Sequence, residues 1–347
     1  MKIQSDIFGK LADGREVQLF TLQNDNQVTV KISNYGAIIT CIETPDKNGV
    51  TENIVCGFNQ LEGYISKEYL GSYPYFGAII GRFGNRIAKG HLEIEGKTYK
   101  MAINNGPNHL HGGLVGFDKK LWNVETFENE NSAGVKLSYL SPHLEENYPG
   151  NLKIICIYSL NNNNELGIEY LAETDKTTVV NLTNHTYFNL TAGKENILNH
   201  ELMLTATKMT EMVEQIPTGK IIPVENTPFD FTISKTFLRD MKTLPTGYDD
   251  NFVFDNKSGE IQFIGCLKES KSGRQVEIYT TQPGMQVYTG YWNPELTIDG
   301  VKKFGSYSGV ALETQHYPDS VHHNNFPTTL LKPGELYNEK TIYKFDV

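Results

Sequence analysis

The residues best suited to chemistry lie in two segments that carry an acidic and an imidazole side chain. Glu313 ends an apolar, strand-like run, where a carboxylate is costly unless it is paired or functional. Burial there would raise the pKa of the carboxyl group and favour proton exchange, although a structural glutamate bound to backbone N–H groups is an alternative. In residues 181–190, alternation along one strand places His185, Tyr187 and Asn189 on a single face. Such a row suits a polar ligand better than a core.

Three further segments concentrate polar side chains beside glycines. They are Gly81-Arg82-Phe83-Gly84-Asn85-Arg86-Ile87, Asn108-His109-Leu110-His111-Gly112-Gly113 and Gly247-Tyr248-Asp249-Asp250-Asn251-Phe252. Asn85 and the two arginines supply rigid donors for sugar hydroxyls or for an anion. The glycine pair after His111 lets backbone approach a ligand, and the paired aspartates can bind hydroxyls, transfer protons or form a turn. Each segment alone is also compatible with an ordinary surface loop.

Other catalytic and metal-binding patterns are absent from the sequence. His109 and His111 have a spacing that places two metal ligands on one face of a strand, but no third and fourth ligand follows at a recognisable spacing. There is no P-loop and no dinucleotide-binding fingerprint. Residues 305–309 have Tyr307 where a nucleophile elbow needs serine. We therefore predict no metal site.

The elements that position these residues are predicted to be strands, because apolar and polar residues alternate with period 2 almost throughout. Residues 17–22 and 28–32 form one predicted hairpin, and residues 92–94 and 98–101 form another. The clearest helix-like piece, residues 235–244, is short. Many short strands with turn signals between them predict an all-β fold, a large antiparallel β-sandwich, with a closed barrel as the competing layout.

Composition limits the classes of protein and partner. Of 347 residues, 31 are Lys or Arg and 41 are Asp or Glu, which gives a formal charge of −10 and disfavours nucleic acid as a partner. The 39% of hydrophobic residues suffices for a large core and excludes a disordered chain. No break in composition divides residues 1–347, so one domain is expected. The expected partner is a small neutral molecule.

Targeting signals and cysteines point to the cytoplasm. The N-terminal residues lack the apolar run of a signal peptide, and no stretch approaches the roughly 20 apolar residues that cross a bilayer. The four cysteines are far apart and form no CxxC pair, which fits reduced thiols. We therefore expect a cytoplasmic protein with no membrane partner, and a monomer and a homodimer fit the sequence equally well.

Taken together, six segments resemble the aldose 1-epimerase family, also called galactose mutarotases. The segments are Gly81-Arg82-Phe83-Gly84-Asn85-Arg86-Ile87, His109-Leu110-His111-Gly112-Gly113, Asn184-His185-Thr186-Tyr187-Phe188-Asn189-Leu190, Gly247-Tyr248-Asp249, Gln282-Pro283-Gly284-Met285-Gln286-Val287-Tyr288-Thr289-Gly290 and Leu312-Glu313-Thr314-Gln315. Each motif is weak alone, but six in this order are specific. The resemblance implies a large antiparallel β-sandwich that holds the sugar in an open cleft and uses no cofactor.

The resemblance also implies a reaction and a role for each site residue. The reaction interconverts the α- and β-anomers of free hexoses such as D-galactose and D-glucose by ring opening, C1–C2 rotation and reclosure. His185 corresponds to the general acid and Glu313 to the general base, and we expect His111 to assist catalysis by steadying charge on the ring oxygens. The substrate-binding set is Asn85, Arg86, His111, Tyr187, Asp249 and Gln286.

Two positions depart from the family pattern, and three other functions stay open. Asp250 stands where a histidine often follows the aspartate, and Tyr291-Trp292 offers aromatic rings that could stack on a sugar. A glycoside hydrolase would use Asp249 and Glu313 as paired carboxylates. A hexose-phosphate mutarotase would bind phosphate through arginines of residues 81–87. A non-catalytic sugar-binding module would need no matched acid and base.

Overall fold

The computed structural model describes residues 1–256 and 259–347 and consists mainly of strands. The strands, numbered in chain order, begin with β1 (Lys2–Lys10), β2 (Glu16–Gln23), β3 (Thr29–Ser33), β4 (Ile39–Pro45), β5 (Thr51–Asn53), β6 (Ile79–Ile80), β7 (Arg86–Ile87), β8 (His91–Ile94), β9 (Lys97–Lys100) and β10 (His109–Leu110). They continue with β11 (Asn123–Glu128), β12 (Ser132–Ser141), β13 (Leu152–Asn161), β14 (Glu165–Thr174), β15 (Thr178–Val179), β16 (Thr183–Asn184), β17 (Tyr187–Phe188), β18 (Glu201–Leu204), β19 (Lys208–Val213) and β20 (Ile216–Pro223). They end with β21 (Lys235–Thr236), β22 (Asp249–Val253), β23 (Gln262–Lys268), β24 (Gln275–Thr280), β25 (Gly284–Tyr288), β26 (Leu296–Ile298), β27 (Lys302–Phe304), β28 (Val310–Gln315), β29 (Leu330–Leu331) and β30 (Tyr337–Asp346).

Helical structure is confined to short connections. Two α-helices, α1 (Leu61–Ile65) and α2 (Lys67–Ser72), follow β5. Single 3₁₀ turns lie at Ala88–Gly90, Phe117–Lys119, Glu145–Asn147, Ile197–Asn199, Phe237–Asp240 and Ser320–His322. Within the described residues, no helix is both long enough and apolar enough to span a bilayer.

The largest sheet is antiparallel and has nine strands in the order β11-β12-β13-β14-β30-β24-β23-β18-β21. Sequence alternation explains its buried face, because every second residue of β13 from Leu152 to Leu160 is fully buried while its neighbours are not. A second antiparallel sheet has the order β17-β28-β25-β22-β19-β20, and strands β1 to β5 form a third sheet in chain order. Apolar residues of all three sheets form one continuous core.

The two larger sheets pack face to face, and this packing decides where Glu313 points. On β28, Val310 and Leu312 belong to the shared core, and the hydroxyl of Thr314 lies 2.6 Å from that of Thr341 on β30. Glu313 alternates with these residues, so it projects from the opposite face of the six-stranded sheet. Two sheets joined in this way confirm the predicted β-sandwich, and none of the sheets in the described parts of the chain closes into a barrel.

The local predictions have mixed outcomes. Both hairpins are confirmed, as β2–β3 and as β8–β9. The helix over residues 235–244 is wrong, because this stretch begins as β21 and continues as a single 3₁₀ turn. The single strand over residues 181–190 is also wrong, because it is divided into β16 and β17 with a bend between them.

Candidate active site

A cleft of about 820 Å³ opens on the outer face of the six-stranded sheet. Its floor and walls include most of the residues singled out in the sequence, namely Asn85, Arg86, His111, His185, Tyr187, Asp249, Asp250 and Glu313. Strands of the six-stranded sheet supply Glu313, Tyr187 and the aspartates. Strand β7 supplies Arg86, and the residues that directly adjoin β7, β10 and β16 supply Asn85, His111 and His185. The cleft is therefore assembled from five regions that are distant in sequence.

His185 and Glu313 face each other at the bottom of the cleft. The distance from His185 Nε2 to Glu313 Oε1 is 3.6 Å, and both side chains are almost entirely buried. This separation is slightly too long for a direct hydrogen bond. Neighbouring oxygens of one small ligand can therefore contact both groups at once.

Burial shifts the pKa values of these two groups in opposite directions. Desolvation raises the pKa of Glu313 to about 8, with a smaller contribution from the charge of Asp249, and the Arg86 guanidinium acts against this rise. Burial lowers the pKa of His185 to about 4. Between these two pH values the pair holds one proton, and the higher pKa of Glu313 favours the carboxyl group as its site. The sequence predicted the direction for Glu313 but not the strong depression at His185.

His111 is fixed as a neutral donor. Its Nδ1 accepts the backbone N–H of Asn85 at 3.1 Å, so the remaining N–H is at Nε2. Burial and the neighbouring His185 lower the pKa of His111 well below its usual value. The ring packs edge-on to that of His185, with 5.4 Å between centroids. His111 can therefore donate a hydrogen bond without carrying charge.

A close approach of two backbone segments holds His111 in place. Gly112 has a φ of +83°, and a Cβ at this position would lie 1.8 Å from the carbonyl oxygen of Gly81. Only glycine fits there. Asn85 and His111 also have positive φ values, 62° and 52°, which end the strands β7 and β10 beside the cleft.

Arg86 and Asp249 are the two charged residues of the predicted substrate-binding set, and each is held by a neighbour. Arg86 is buried, and its Nε donates to Asn105 Oδ1 at 3.0 Å. Asp249 Oδ1 accepts a 2.7 Å hydrogen bond from Gln286 Nε2. Gln286 lies behind Asp249 rather than among the residues that line the cleft. Gln286 on β25 is paired directly with Glu313 on β28, so it lies in the sheet next to the catalytic candidate and reaches Asp249 from there.

Aromatic rings form the side walls. Tyr187 is buried, lines the cleft and lies 4.9 Å from His185 between ring centroids. The ring of Tyr75 stacks on that of His185, with 5.8 Å between centroids, and also contacts the ring of His111. No sequence motif pointed to Tyr75. Trp292 also lines the cleft, and with 64% of its surface exposed it presents an aromatic face to solvent there.

Three residues noted in the sequence lie outside the cleft. Arg82 is buried, and its guanidinium donates to Ser141, Pro142 and Pro149, so it has a structural role. His109 hydrogen-bonds to Ala102 and Tyr148. Asn189 binds backbone carbonyls of Glu195 and Ser308 instead of sharing a face with His185. For His109 and Asn189, the chain leaves the strand conformation and breaks the alternation on which the prediction depended.

Several buried polar atoms in and behind the cleft have no protein hydrogen-bond partner among the described residues. They are His185 Nδ1, Gln286 Oε1 and Glu313 Oε2. An unsatisfied buried polar atom costs about 1–3 kcal/mol, so a ligand rich in hydroxyl groups is favoured there. His111, His185 and Glu313 also place one potential ligand atom each within 4.8 Å of one another, which a metal ion could use. The absence of a metal stays a prediction.

Comparison with known proteins identifies the family. A model of the family described as aldose 1-epimerase matches residues 18–344. The chain belongs to the aldose 1-epimerase family. It is 43% identical to galactose mutarotase of Sus scrofa, with 100% of this chain and 99% of that protein covered. It is 32% identical to aldose 1-epimerase of Escherichia coli strain K12, with 96% of each covered.

Solved structures of aldose 1-epimerase homologues share the fold. An aldose epimerase homologue from C. elegans superposes with a TM-score of 0.85 at 28% identity, covering 94% of this chain and 98% of that one. Galactose 1-epimerase from Lactobacillus acidophilus also gives 0.85, at 26% identity, covering 99% and 98%. The family resemblance inferred from six motifs is confirmed.

Within this aldose 1-epimerase framework, Asp250 creates an acidic wall. Its carboxylate oxygen Oδ2 accepts the backbone N–H of Asp249 at 3.1 Å. Burial, together with the charge of Asp249, raises the pKa of Asp250 to about 7. A histidine at this position would add positive charge on protonation, whereas Asp250 adds negative charge when its proton leaves.

Proposed function

We propose that Glu313 and His185 interconvert the α- and β-anomers of free hexoses, with D-galactose and D-glucose as substrates. The observation that carries the proposal is the matched pair: one acid and one base, 3.6 Å apart, sharing one proton at the floor of a hydroxyl-binding cleft. The C1 hydroxyl and the ring oxygen of a pyranose are bonded to the same carbon. The protein groups that act as acid and base on these two oxygens must therefore lie side by side, as His185 and Glu313 do.

Ring opening transfers two protons. The carboxylate of Glu313 removes the proton of the C1 hydroxyl while the imidazolium of His185 protonates the ring oxygen, and the C1–O5 bond breaks to leave an aldehyde. Rotation about C1–C2 presents the other face of the aldehyde. Closure reverses both transfers, so each group returns to its starting state.

The pair carries one proton at every stage. The proton sits on His185 while the ring is closed and on Glu313 while it is open. Without a bound sugar, the higher pKa of Glu313 favours the carboxyl group. A C1 hydroxyl that donates to Glu313 stabilises the carboxylate, and sugar binding thereby moves the proton to His185.

The other residues hold the sugar and stabilise charge. The Nε2–H of His111 and the Arg86 guanidinium are placed to stabilise negative charge on the sugar oxygens. Asp249 accepts from the non-reacting hydroxyls, and Asn85 and Tyr187 line the same cleft. A sugar held in this way stays bound while C1 rotates.

The charge in the cleft disfavours the hexose-phosphate alternative. Among the described lining residues, Arg86 is the only arginine or lysine, and the same lining includes four carboxyl groups, those of Glu214, Asp249, Asp250 and Glu313. Arg82, the second arginine that a phosphate would need, donates to groups outside the cleft.

We therefore expect kcat/KM for glucose 6-phosphate to be at least about tenfold below that for glucose, because carboxylates repel the phosphate dianion. Added salt should narrow the difference, since the repulsion is screened. Mutarotation rates of both sugars at two ionic strengths measure this. An equal or faster rate on the phosphate would reverse the assignment.

The shared proton predicts a bell-shaped pH dependence. Below a pH of about 4, His185 and Glu313 are both protonated and no base remains. Above a pH of about 8, both have lost their protons and no acid remains. We expect kcat/KM, which reports the free enzyme, to fall on both sides of a plateau between these values. A profile that is flat from pH 5 to 10 would contradict the one-proton pair.

Polarimetry tests the proposed function. Optical rotation of freshly dissolved α-D-galactose and α-D-glucose should approach equilibrium faster with the protein than with buffer alone. Binding of either sugar without faster mutarotation would favour a non-catalytic module. Release of reducing sugar from a disaccharide or an aryl glycoside would favour a hydrolase.

We also place the protein in the cytoplasm, because all four cysteines are free thiols, which suits a reducing compartment.

A further inference from the structure

The tip of one hairpin reaches into the cleft with a side chain that no motif includes. Strands β19 and β20 are joined by Glu214 and Gln215, which have φ values of +49° and +64°. Two left-handed residues make the tight turn that suits a twisted hairpin. Both residues line the cleft, although Gln215 is exposed as a whole.

Gln215 bridges the two oppositely charged residues of the sugar-binding set. Its Oε1 accepts from Arg86 Nη2 at 3.0 Å, and its Nε2 donates to Asp249 Oδ2 at 3.3 Å. The carboxamide thus presents its acceptor to the cation and its donor to the anion. Arg86 and Asp249 make no direct ion pair with each other within the described residues.

These contacts complete an arc of hydrogen bonds along the cleft wall. Asn105 holds Arg86 at one end, and Gln286 holds Asp249 at the other. Arg86 has five N–H donors and uses two in the arc, while the Asp249 carboxylate accepts one bond on each oxygen and has further lone pairs. Each residue keeps free hydrogen-bonding capacity that faces the cleft.

We propose that Gln215 is a positioning residue that keeps Arg86 and Asp249 apart, so that both stay available to sugar hydroxyls. This inference rests on the proposed function. A guanidinium and a carboxylate placed close together form a bidentate pair that occupies the donors and acceptors of both. The neutral carboxamide of Gln215 satisfies each charge partly and takes the place of that pair.

Removal of the carboxamide should weaken sugar binding rather than chemistry. With Gln215→Ala, we expect KM for galactose to rise about fivefold and kcat to change less than twofold, because His185 and Glu313 are untouched. Gln215→Glu should raise KM further, since its carboxylate would pair with Arg86 and repel Asp249. The midpoint of thermal unfolding should stay within about 2 °C of the wild type, because the side chain is at an exposed hairpin tip.

Two further variants separate the contact from the turn. Gln215→Ala keeps a side chain with a Cβ in the left-handed conformation, as in the wild type, whereas Gln215→Gly removes the same carboxamide and relieves the strain of the positive φ. Both should raise KM alike. The matched control is Gln27→Ala, an exposed glutamine with φ 67° in the turn between β2 and β3, which does not line the cleft. Gln27→Ala should leave both KM and kcat for galactose unchanged.

The outcomes distinguish this inference from the proposed function. If the wild-type protein does not accelerate mutarotation, the proposed function fails. If the wild type is active and Gln215→Gly keeps a wild-type KM, or lowers it, only the role of Gln215 is overturned. A fall in kcat at constant KM would also overturn it, because that result would place the residue in the chemical step.

Discussion

Glu313→Gln is expected to reduce kcat for galactose mutarotation by about 10³, with KM changed by less than about threefold. The amide has nearly the shape of the carboxyl group, but it cannot take the proton of the C1 hydroxyl. The remaining contacts of the sugar with Arg86, His111 and Asp249 are left in place, so binding should survive. Initial rates of optical rotation over a range of galactose concentrations measure both constants.

A control for this variant is available on the neighbouring sheet. Glu339 on β30 is half-buried, and burial raises the pKa of its carboxyl group as it does for the more deeply buried Glu313, while the Thr281 hydroxyl donates to it. It does not line the cleft. Glu339→Gln should therefore keep its full rate, whereas a full rate in Glu313→Gln would remove the proposed base.

His185→Asn is expected to lower kcat by about 10²–10³, because asparagine cannot deliver a proton to the ring oxygen. The double variant Glu313→Gln, His185→Asn should be no slower than the slower single variant, since the two residues act as one proton-transfer unit. Multiplicative losses in the double variant would mean that the residues act independently. The same polarimetric rates decide between these results.

The control for the histidine is His200. It is buried, and burial lowers its pKa to about 4 as at His185, but its Nε2 accepts the backbone N–H of Leu190 away from the cleft. His200→Asn is expected to cost stability and to leave the kcat of the folded protein near normal. Thermal unfolding measured beside the rates separates the two effects.

The fold was largely predictable from the sequence because period-2 alternation is a local property. In β8 the buried residues Leu92 and Ile94 alternate with exposed neighbours, and the turn to β9 places Glu95 and Gly96 at positive φ. Glu313 was also predictable, since a carboxylate in an apolar strand has few structural explanations. For Glu313, the apolar sequence pattern and the packing of the two sheets both place the carboxyl group in a buried position.

The predicted direction of a side chain was wrong where the backbone leaves the regular strand conformation. Arg82 and Arg86 lie in one short motif, yet only Arg86 lines the cleft, because Asn85 adopts a positive φ between them. The same break at His111 separates it from His109. Alternation cannot be extended through a left-handed residue, so the motif alone does not say which member faces the ligand.

Contacts that depend on the order of the strands in a sheet leave no recognisable pattern in the sequence around each residue. Gln215 meets Arg86 and Asp249 because β19 pairs with both β20 and β22, which carries a hairpin tip across the cleft. Tyr75 reaches His185 from a connection before β6. Both residues are separated from their partners along the chain, and nothing in their immediate sequence marks them as part of a site.

The most direct test is exchange between the anomeric signals of galactose at equilibrium, followed by proton NMR with wild-type protein and with Glu313→Gln at pH 6. No net reaction occurs, so the measurement reports catalysed interconversion alone. We predict clear α–β exchange with the wild type and exchange close to the buffer rate with the variant. Exchange at the wild-type rate in Glu313→Gln, or none with the wild type, would contradict a shared-proton pair that catalyses mutarotation.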